Sequence, residues 1–238
     1  MKIAKKATFM GKENYYNEIF ARNYDRFTRP GYYNYRKEAA EFKKIIKGKE
    51  ILELGIGTGC LAELLIKKGY SVEGAEPSDP MIKELKKKNL PVKVYKQDAS
   101  ELNIDKKYDA IFSHGTAPQV VLRKDGVFFD TYIVDNKDFA KAMKKTYEHL
   151  KKGGYFLCGV QSGTSDKTSV GDFYRSESSV EGDILTKTHF FRERNKWVSQ
   201  TVTARMWREK DYINLMKKTG FKVVGFNKSK TWFVFKKY

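Results

Sequence analysis

Cysteine is almost absent: Cys60 and Cys158 are the two thiols in 238 residues. Two thiols cannot build a disulfide framework or a four-ligand zinc site, so no metal is expected and a reducing cytoplasm is the expected location. No apolar run approaches the roughly 18 residues that a membrane span needs. The first ten residues are basic and broken by lysine, unlike the apolar core of a signal peptide. Histidine is also scarce, at three residues, which leaves few side chains with a pKa near neutrality. Acidic residues number 29 against 47 basic ones, for a net charge of +18. Only ten of the basic residues are arginine, the side chain that reads phosphate and bases by bidentate contact. A lysine-dominated excess reads as composition bias, and no specific nucleic acid partner is expected, although the field attracts anionic ligands. What is present is apolar mass: 40% hydrophobic and 14% aromatic residues, enough for a sizeable core and too much for a disordered chain.

The hydrophobic period changes along the chain. From Glu13 to Lys47 it is helical, with Phe20, Tyr24 and Phe27 on one stripe and a break at Pro30-Gly31. Short apolar strands are predicted at 50–54, 71–75, 92–96, 110–113 and 155–160, with helices at 60–68, 81–88 and 138–152 between them. Alternation of this kind implies βαβ units and a parallel sheet covered on both faces. Residues 162–172 read as a Gly/Ser/Thr loop. Strands are then predicted at 183–191 and 197–207 around a turn at Arg194-Asn195. A helix over 209–219 and a hairpin of 221–226 with 231–235 close the chain.

The chemical signal lies in Glu53-Leu54-Gly55-Ile56-Gly57-Thr58-Gly59, between a strand and a helix. Glycines there permit positive φ and close approach of a ligand to the backbone. A triphosphate-binding loop would need Lys followed by Ser or Thr, which are missing. A dinucleotide fingerprint would need glycine at the sixth position, where Cys60 stands.

The run E-L-G-x-G-x-G resembles the first motif of class I S-adenosylmethionine-dependent methyltransferases, and four further segments up to residue 160 resemble that family in order. The resemblance implies that Glu53, Gly55, Gly57 and Gly59 form the cofactor loop. In Val72–Ser78 it gives Glu76 the two ribose hydroxyls, with Pro77 following, and it places Met81 and Ile82 beside the adenine. In Gln97-Asp98-Ala99 it gives Asp98 the adenine amino group, with Ala99 in the same turn. Tyr108–Ser113 resembles the fourth strand, which brings Ser113 to the cofactor cleft, and Leu150–Tyr155 the turn into the fifth. The implied fold is α/β, a doubly wound seven-stranded Rossmann-like sheet with an antiparallel closing hairpin and a β-rich insertion after strand five. Residues 1–47 would be a tail and helical lid, 48–161 the cofactor-binding core, 162–208 the insertion over the active site, and 209–238 the closing helix and hairpin. The implied cofactor is S-adenosyl-L-methionine, with S-adenosyl-L-homocysteine as product.

Transfer from a sulfonium needs alignment, exclusion of water and sometimes removal of a proton, but no dedicated nucleophile. The acceptor is therefore less legible. Tyr24-Asp25-Arg26-Phe27 resembles the N-terminal helix motif of the small-molecule branch, which includes glycine/sarcosine N-methyltransferase-like enzymes, and Tyr24 would lie near the sulfonium. Gln161-Ser162-Gly163-Thr164 lacks the arginine with which those enzymes hold a carboxylate, so glycine is not the expected substrate. His114, directly after the fourth strand, is the expected general base. Arg175, His189 and Arg205 are candidates for binding the acceptor, and His149 is expected at the surface. Asp125 and Asp130 are too isolated to supply the cluster of acids and asparagine that a metal-dependent site near the fourth strand would need. The expected reaction is methyl transfer to N, O or S of a small molecule, anionic if it answers the basic field. An RNA-modifying methyltransferase and a noncatalytic cofactor-binding protein are the alternatives; oligomeric state is left open.

Overall fold

Apolar residues fill both faces of strand β1 (Glu50–Leu54), where Ile51, Leu52 and Leu54 are fully buried. Such a strand is stable only between two covering layers. In the computed structural model it pairs in parallel with β2 (Ser71–Ala75) on one side and β4 (Tyr108–Ser113) on the other, with β3 (Lys93–Tyr95) beyond β2. The structure describes residues 11–115, 117–162 and 167–238. The basic tail 1–10, Thr116 and the loop residues 163–166 lie outside the described residues. Among the described residues, no helix is long and apolar enough to cross a membrane.

Beside β4 runs β7 (Leu150–Ser162), again parallel, and antiparallel to β7 runs β13 (Trp232–Lys237), paired with β12 (Phe221–Phe226). The seven strands thus follow the order β3-β2-β1-β4-β7-β13-β12, the predicted doubly wound sheet with its closing hairpin. Helices α2 (Tyr35–Ile45) and α3 (Cys60–Lys67) seal one face through Phe42, Leu61 and Leu65; α5 (Asn136–Glu148) and α6 (Glu209–Thr219) seal the other through Phe139, Met143 and Tyr212.

The antiparallel layer is larger than expected and has two sources. Besides β10 (Ile184–Glu193) and β11 (Lys196–Arg208), it contains β5 (Gln119–Arg123), β6 (Gly126–Thr131), β8 (Lys167–Val170) and β9 (Tyr174–Glu181). The β5–β6 hairpin turns at Lys124-Asp125 and sits between the end of β7 and β11. The Asp125-Gly126 step after Val120-Val121-Leu122 is a hairpin signal, in a stretch for which no strand is predicted. Strand β9 was missed because it is mostly serine and glutamate, with little apolar alternation to read. The segment read as a Gly/Ser/Thr loop likewise contains β8.

The N-terminal segment is tied across this layer. Asn14 Nδ2 donates to the Thr203 carbonyl at 2.7 Å while its Oδ1 accepts from the Thr203 N–H at 2.8 Å. Gln200 Nε2 donates to the Tyr15 carbonyl at 2.8 Å. Helix α1 (Glu18–Phe27) starts at Asn17, whose side chain accepts from the Phe20 N–H, an ordinary N-cap. It buries Phe20 and Phe27 against Tyr174 and Phe191. The predicted break falls at Thr28–Tyr32, where Gly31 has φ of 136°.

Candidate active site

The chain leaves β1 through Gly55, Gly57 and Gly59, with φ of 68°, 56° and 74°, a region that penalises any side chain. The Gly55 N–H donates to the Ala75 carbonyl at 2.8 Å. At the end of β2, Glu76 is 5% exposed. Its Oε2 accepts from the Gly57 N–H and its Oε1 from the Ser78 N–H, each at 2.9 Å. Burial pushes this carboxyl up to about 7, and the two backbone donors limit the rise. Glu53 is also buried, and desolvation, with Glu76 and Glu38 nearby, raises its carboxyl well above the usual range. Its Oε2 has no hydrogen-bond partner among the described residues.

Pro77, Asp98 and Ala99 line the same cleft as Gly55 and Glu76. Asp98 Oδ1 accepts from the Ser100 N–H and hydroxyl at 2.8 Å, and Tyr15 donates to Oδ2 at 3.4 Å. Met81, in α4 (Asp79–Lys86), packs behind the loop with Cε 3.3 Å from where a Gly57 Cβ would lie. Ser113 is fully buried beside Leu54, and its Oγ accepts from the Ala117 N–H at 2.9 Å. It braces the loop after β4 and does not line the cleft.

A second cavity, about 40 Å³, adjoins this one and shares Tyr16 and Tyr132 with it. Its walls are aromatic, from Phe20, Tyr24, Phe27, Tyr32 and Tyr33. Three polar atoms of its lining are buried without a hydrogen-bond partner among the described residues: Gln119 Oε1, Asp130 Oδ1 and His189 Nε2. Asp130 is 3% exposed. Burial pushes its carboxyl up to about 7, while Arg123 and Lys187 pull the other way. His189 is held neutral by burial, with Lys187 adding to the effect, and its Nδ1 lies 2.9 Å from the Tyr174 hydroxyl. Lys187 Nζ and Gln161 Nε2 both donate to the Tyr32 hydroxyl, at 2.8 and 2.9 Å. Tyr24, from α1, contributes a phenol whose pKa burial raises well above its ordinary value.

The other expected positions differ. His114 does not line the cavity. It is 6% exposed, in a tyrosine and tryptophan nest of Tyr33, Tyr35 and Trp232, with Nε2 3.0 Å from Glu38 Oε2. That contact is too misaligned to count as a hydrogen bond to Glu38 Oε2. The residue after the strand turns under α2, and Gly115 takes the cavity wall instead. Arg175 is exposed and stacks over Phe190 and Trp197 at 4.9 and 4.8 Å. Strand alternation puts it on the face opposite His189, since Arg175 pairs with Phe190 and Ser176 with His189. Arg205 Nε donates to the Val134 carbonyl at 2.7 Å and its guanidinium pairs with Asp183, away from the cavity. His149 is buried, not superficial: its Nδ1 meets the Lys145 carbonyl at 2.7 Å, and Nε2 accepts from the Ile104 N–H at 3.2 Å. Asp130 and Gln119 are the site residues that sequence reasoning missed.

Residues 24–225 match a family model described as a methyltransferase domain. The chain belongs to that methyltransferase family. Among its curated relatives is an uncharacterized methyltransferase of Geobacillus sp. strain WCH70, 32% identical over 55% of this chain and 73% of the relative. The CcbJ methyltransferase of Streptomyces caelestis shares the fold, with a TM-score of 0.75, 19% identity, and coverage of 95% of this chain and 99% of that one. So does a sugar N-methyltransferase from Streptoalloteichus sp. ATCC 53650, with a TM-score of 0.70, 16% identity, and coverage of 100% and 98%.

The methyltransferase is an S-adenosylmethionine-dependent enzyme of class I, and its cleft fits that cofactor. Gly55, half-buried in the cleft wall and without a Cβ, would let a nucleoside approach the backbone closely. Glu76 would meet the ribose hydroxyls and Asp98 the adenine amino group. Glu53 holds a buried carboxyl oxygen without a partner, suited to the cofactor's cationic amino acid end. The cofactor supplies a methyl group already attached to a good leaving group. The remaining tasks would fall to this chain: aromatic walls can exclude water, and a buried carboxyl raised to about 7, as that of Asp130 is, can take a proton.

Proposed function

We propose that the enzyme methylates the nitrogen of a small amine, an amino sugar being the class suggested by the sugar N-methyltransferase that shares its fold. The single observation that carries this reading is the convergence of Gln119 Oε1, Asp130 Oδ1 and His189 Nε2, buried and without a partner among the described residues, in one aromatic cavity beside the cofactor cleft. Two of the three are oxygen acceptors. Buried acceptors without partners are unfavourable by about 1–3 kcal/mol each, and an ammonium or amine N–H satisfies them. The aromatic walls favour a cation as well. In the productive complex Asp130 accepts the proton of the bound ammonium, which frees the nitrogen lone pair for attack on the methyl group. The product nitrogen keeps the methyl, and the proton leaves through Asp130.

The test is turnover with S-adenosylmethionine and a panel of small amines, each paired with the analogue carrying hydroxyl in place of the amine. The readouts are S-adenosylhomocysteine release and the mass of the product. Turnover of amines and not of their hydroxyl partners is expected. With the best amine, Asp130→Asn should lower kcat/KM at least a hundredfold while cofactor affinity stays unchanged. Turnover confined to hydroxyl acceptors, or full activity of Asp130→Asn, would overturn the reading.

A further inference from the structure

The acceptor cavity has room for a head group and little more, yet the sheet face on which it sits continues. Gln119 and Arg123 lie four residues apart on one face of β5, hence about 13 Å apart along the strand. The β-pairings align this face across the layer: Gln119 with Asp130, Asp130 with Met206, and Phe128 with Arg208. The cavity ends on an apolar cluster in which its own Leu185 and Ala204 pack with Phe128 and Met206. Beyond that opens a cleft of about 790 Å³ lined by Arg123, Arg208 and Trp207.

This cleft differs in chemistry from the cavity. The guanidinium carbons of Arg123 and Arg208 sit 5.8 and 5.6 Å from the Phe128 ring centre. Neither arginine has an ion-pair partner among the described residues, whereas Arg205, also in the lining, is taken up by Asp183. Arg123 Nε is a buried donor without a hydrogen-bond partner among the described residues, whereas Trp207, between Met206 and Arg208 on β11, turns its indole to the opposite face against Phe139. Asp125 and Asp211 line the cleft too, both exposed. Acceptors without a partner among the described residues mark one end of the face, and the unpaired guanidinium groups of Arg123 and Arg208 the other, with apolar surface between.

We infer that this cleft binds a phosphate group of the methyl acceptor through Arg123 and Arg208, so that the acceptor is an elongated molecule with its amine at Asp130 and its phosphate at the arginines. Guanidinium groups meet phosphate oxygens through paired N–H donors. The spanning part of this inference rests on the amine reading of Asp130; the phosphate site does not.

Two titrations test it on the full chain saturated with S-adenosylhomocysteine. The first uses inorganic pyrophosphate against the wild type, Arg123→Gln/Arg208→Gln, and Lys83→Gln/Lys86→Gln. The last removes equal charge from exposed positions of α4. The arginine variant should bind pyrophosphate more than tenfold more weakly, with the lysine variant like wild type and S-adenosylhomocysteine affinity equal in all three. Equal binding by all three proteins, an equal loss in the lysine variant, or no binding to wild type at millimolar concentration would overturn the site. Tighter binding of succinate than of pyrophosphate would overturn phosphate in favour of a carboxylate.

The second titration compares 8-aminooctyl phosphate with octyl phosphate. The amine should add at least tenfold in wild type and nothing in Asp130→Asn. If the amine adds nothing in wild type while the pyrophosphate result stands, the spanning acceptor falls with the amine reading and the phosphate site survives. If pyrophosphate fails, the site falls alone, and Asp130 is judged by its own turnover test.

Discussion

Removing the charge of Asp130 should change the pH dependence of stability in a definite direction. Burial raises its carboxyl from 3.8 to about 7, so the folded protein holds this proton more tightly than the unfolded chain does. Between those values the unfolded state binds fewer protons, and stability falls as pH rises. The contribution is neutral below pH 4 and fully unfavourable above pH 7, by on the order of 4 kcal/mol. Asp130→Asn abolishes that slope. At pH 4.5 the variant should match wild type within about 1 kcal/mol, since a protonated carboxyl and an amide are similar in size. At pH 8 it should be the more stable by about 1–3 kcal/mol, the gain being reduced by an amide whose hydrogen bonds are only partly satisfied. Urea unfolding at pH 4.5, 6, 7 and 8 without ligand measures the difference curve, and the titration of Glu76, common to both proteins, cancels in it. Parallel curves for wild type and Asp130→Asn would refute the reasoning, because a carboxyl that titrates alike in both states is not desolvated by the fold.

Three further outcomes follow from the site. Glu76→Ala should weaken S-adenosylmethionine binding by more than tenfold in calorimetry while circular dichroism stays unchanged; equal affinity would remove Glu76 from the ribose. Gly59→Ala should lower stability by about 2–4 kcal/mol, because φ of 74° strains the new side chain and its Cβ would lie 2.5 Å from Leu85 Cδ1; a Tm within 2 °C of wild type, on the usual scale of about 2–4 °C per kcal/mol, would contradict the tight loop. His114→Gln should keep kcat within about threefold from pH 6 to 9 and lose about 1–2 kcal/mol of stability, as expected for a packed residue outside the cavity; a hundredfold fall in kcat would return His114 to the chemistry.

The cofactor half of the site was legible in the sequence because its geometry is local. A strand, three glycines and a helix start fall within residues 50–67, and Glu76 ends the next strand, so chain order alone brings these groups together. Arginine candidates were misjudged for a reason equally physical. Charge was visible in the sequence, but the face of the strand was not: Arg175 turns outward by alternation, and Arg205 is consumed by Asp183.

The acceptor half depends on register, which a single sequence fixes poorly when strands are polar. Gln119, Asp130 and His189 come from three strands and share a cavity because Gln119 pairs with Asp130 and the intervening β11 joins their sheet to β10. His189 is a candidate from the sequence, but Gln119 and Asp130, read singly, look like surface residues of a half-exposed strand. Asp130 in particular was dismissed as isolated, and in sequence it is. A slip of one residue in the Lys124-Asp125 turn would point Asp130 to the opposite face of the layer while leaving Gln119 in place. The cavity would then lose its carboxylate without the loss of any residue. On the amine reading, recognition of the acceptor therefore rests on strand pairing rather than on a motif.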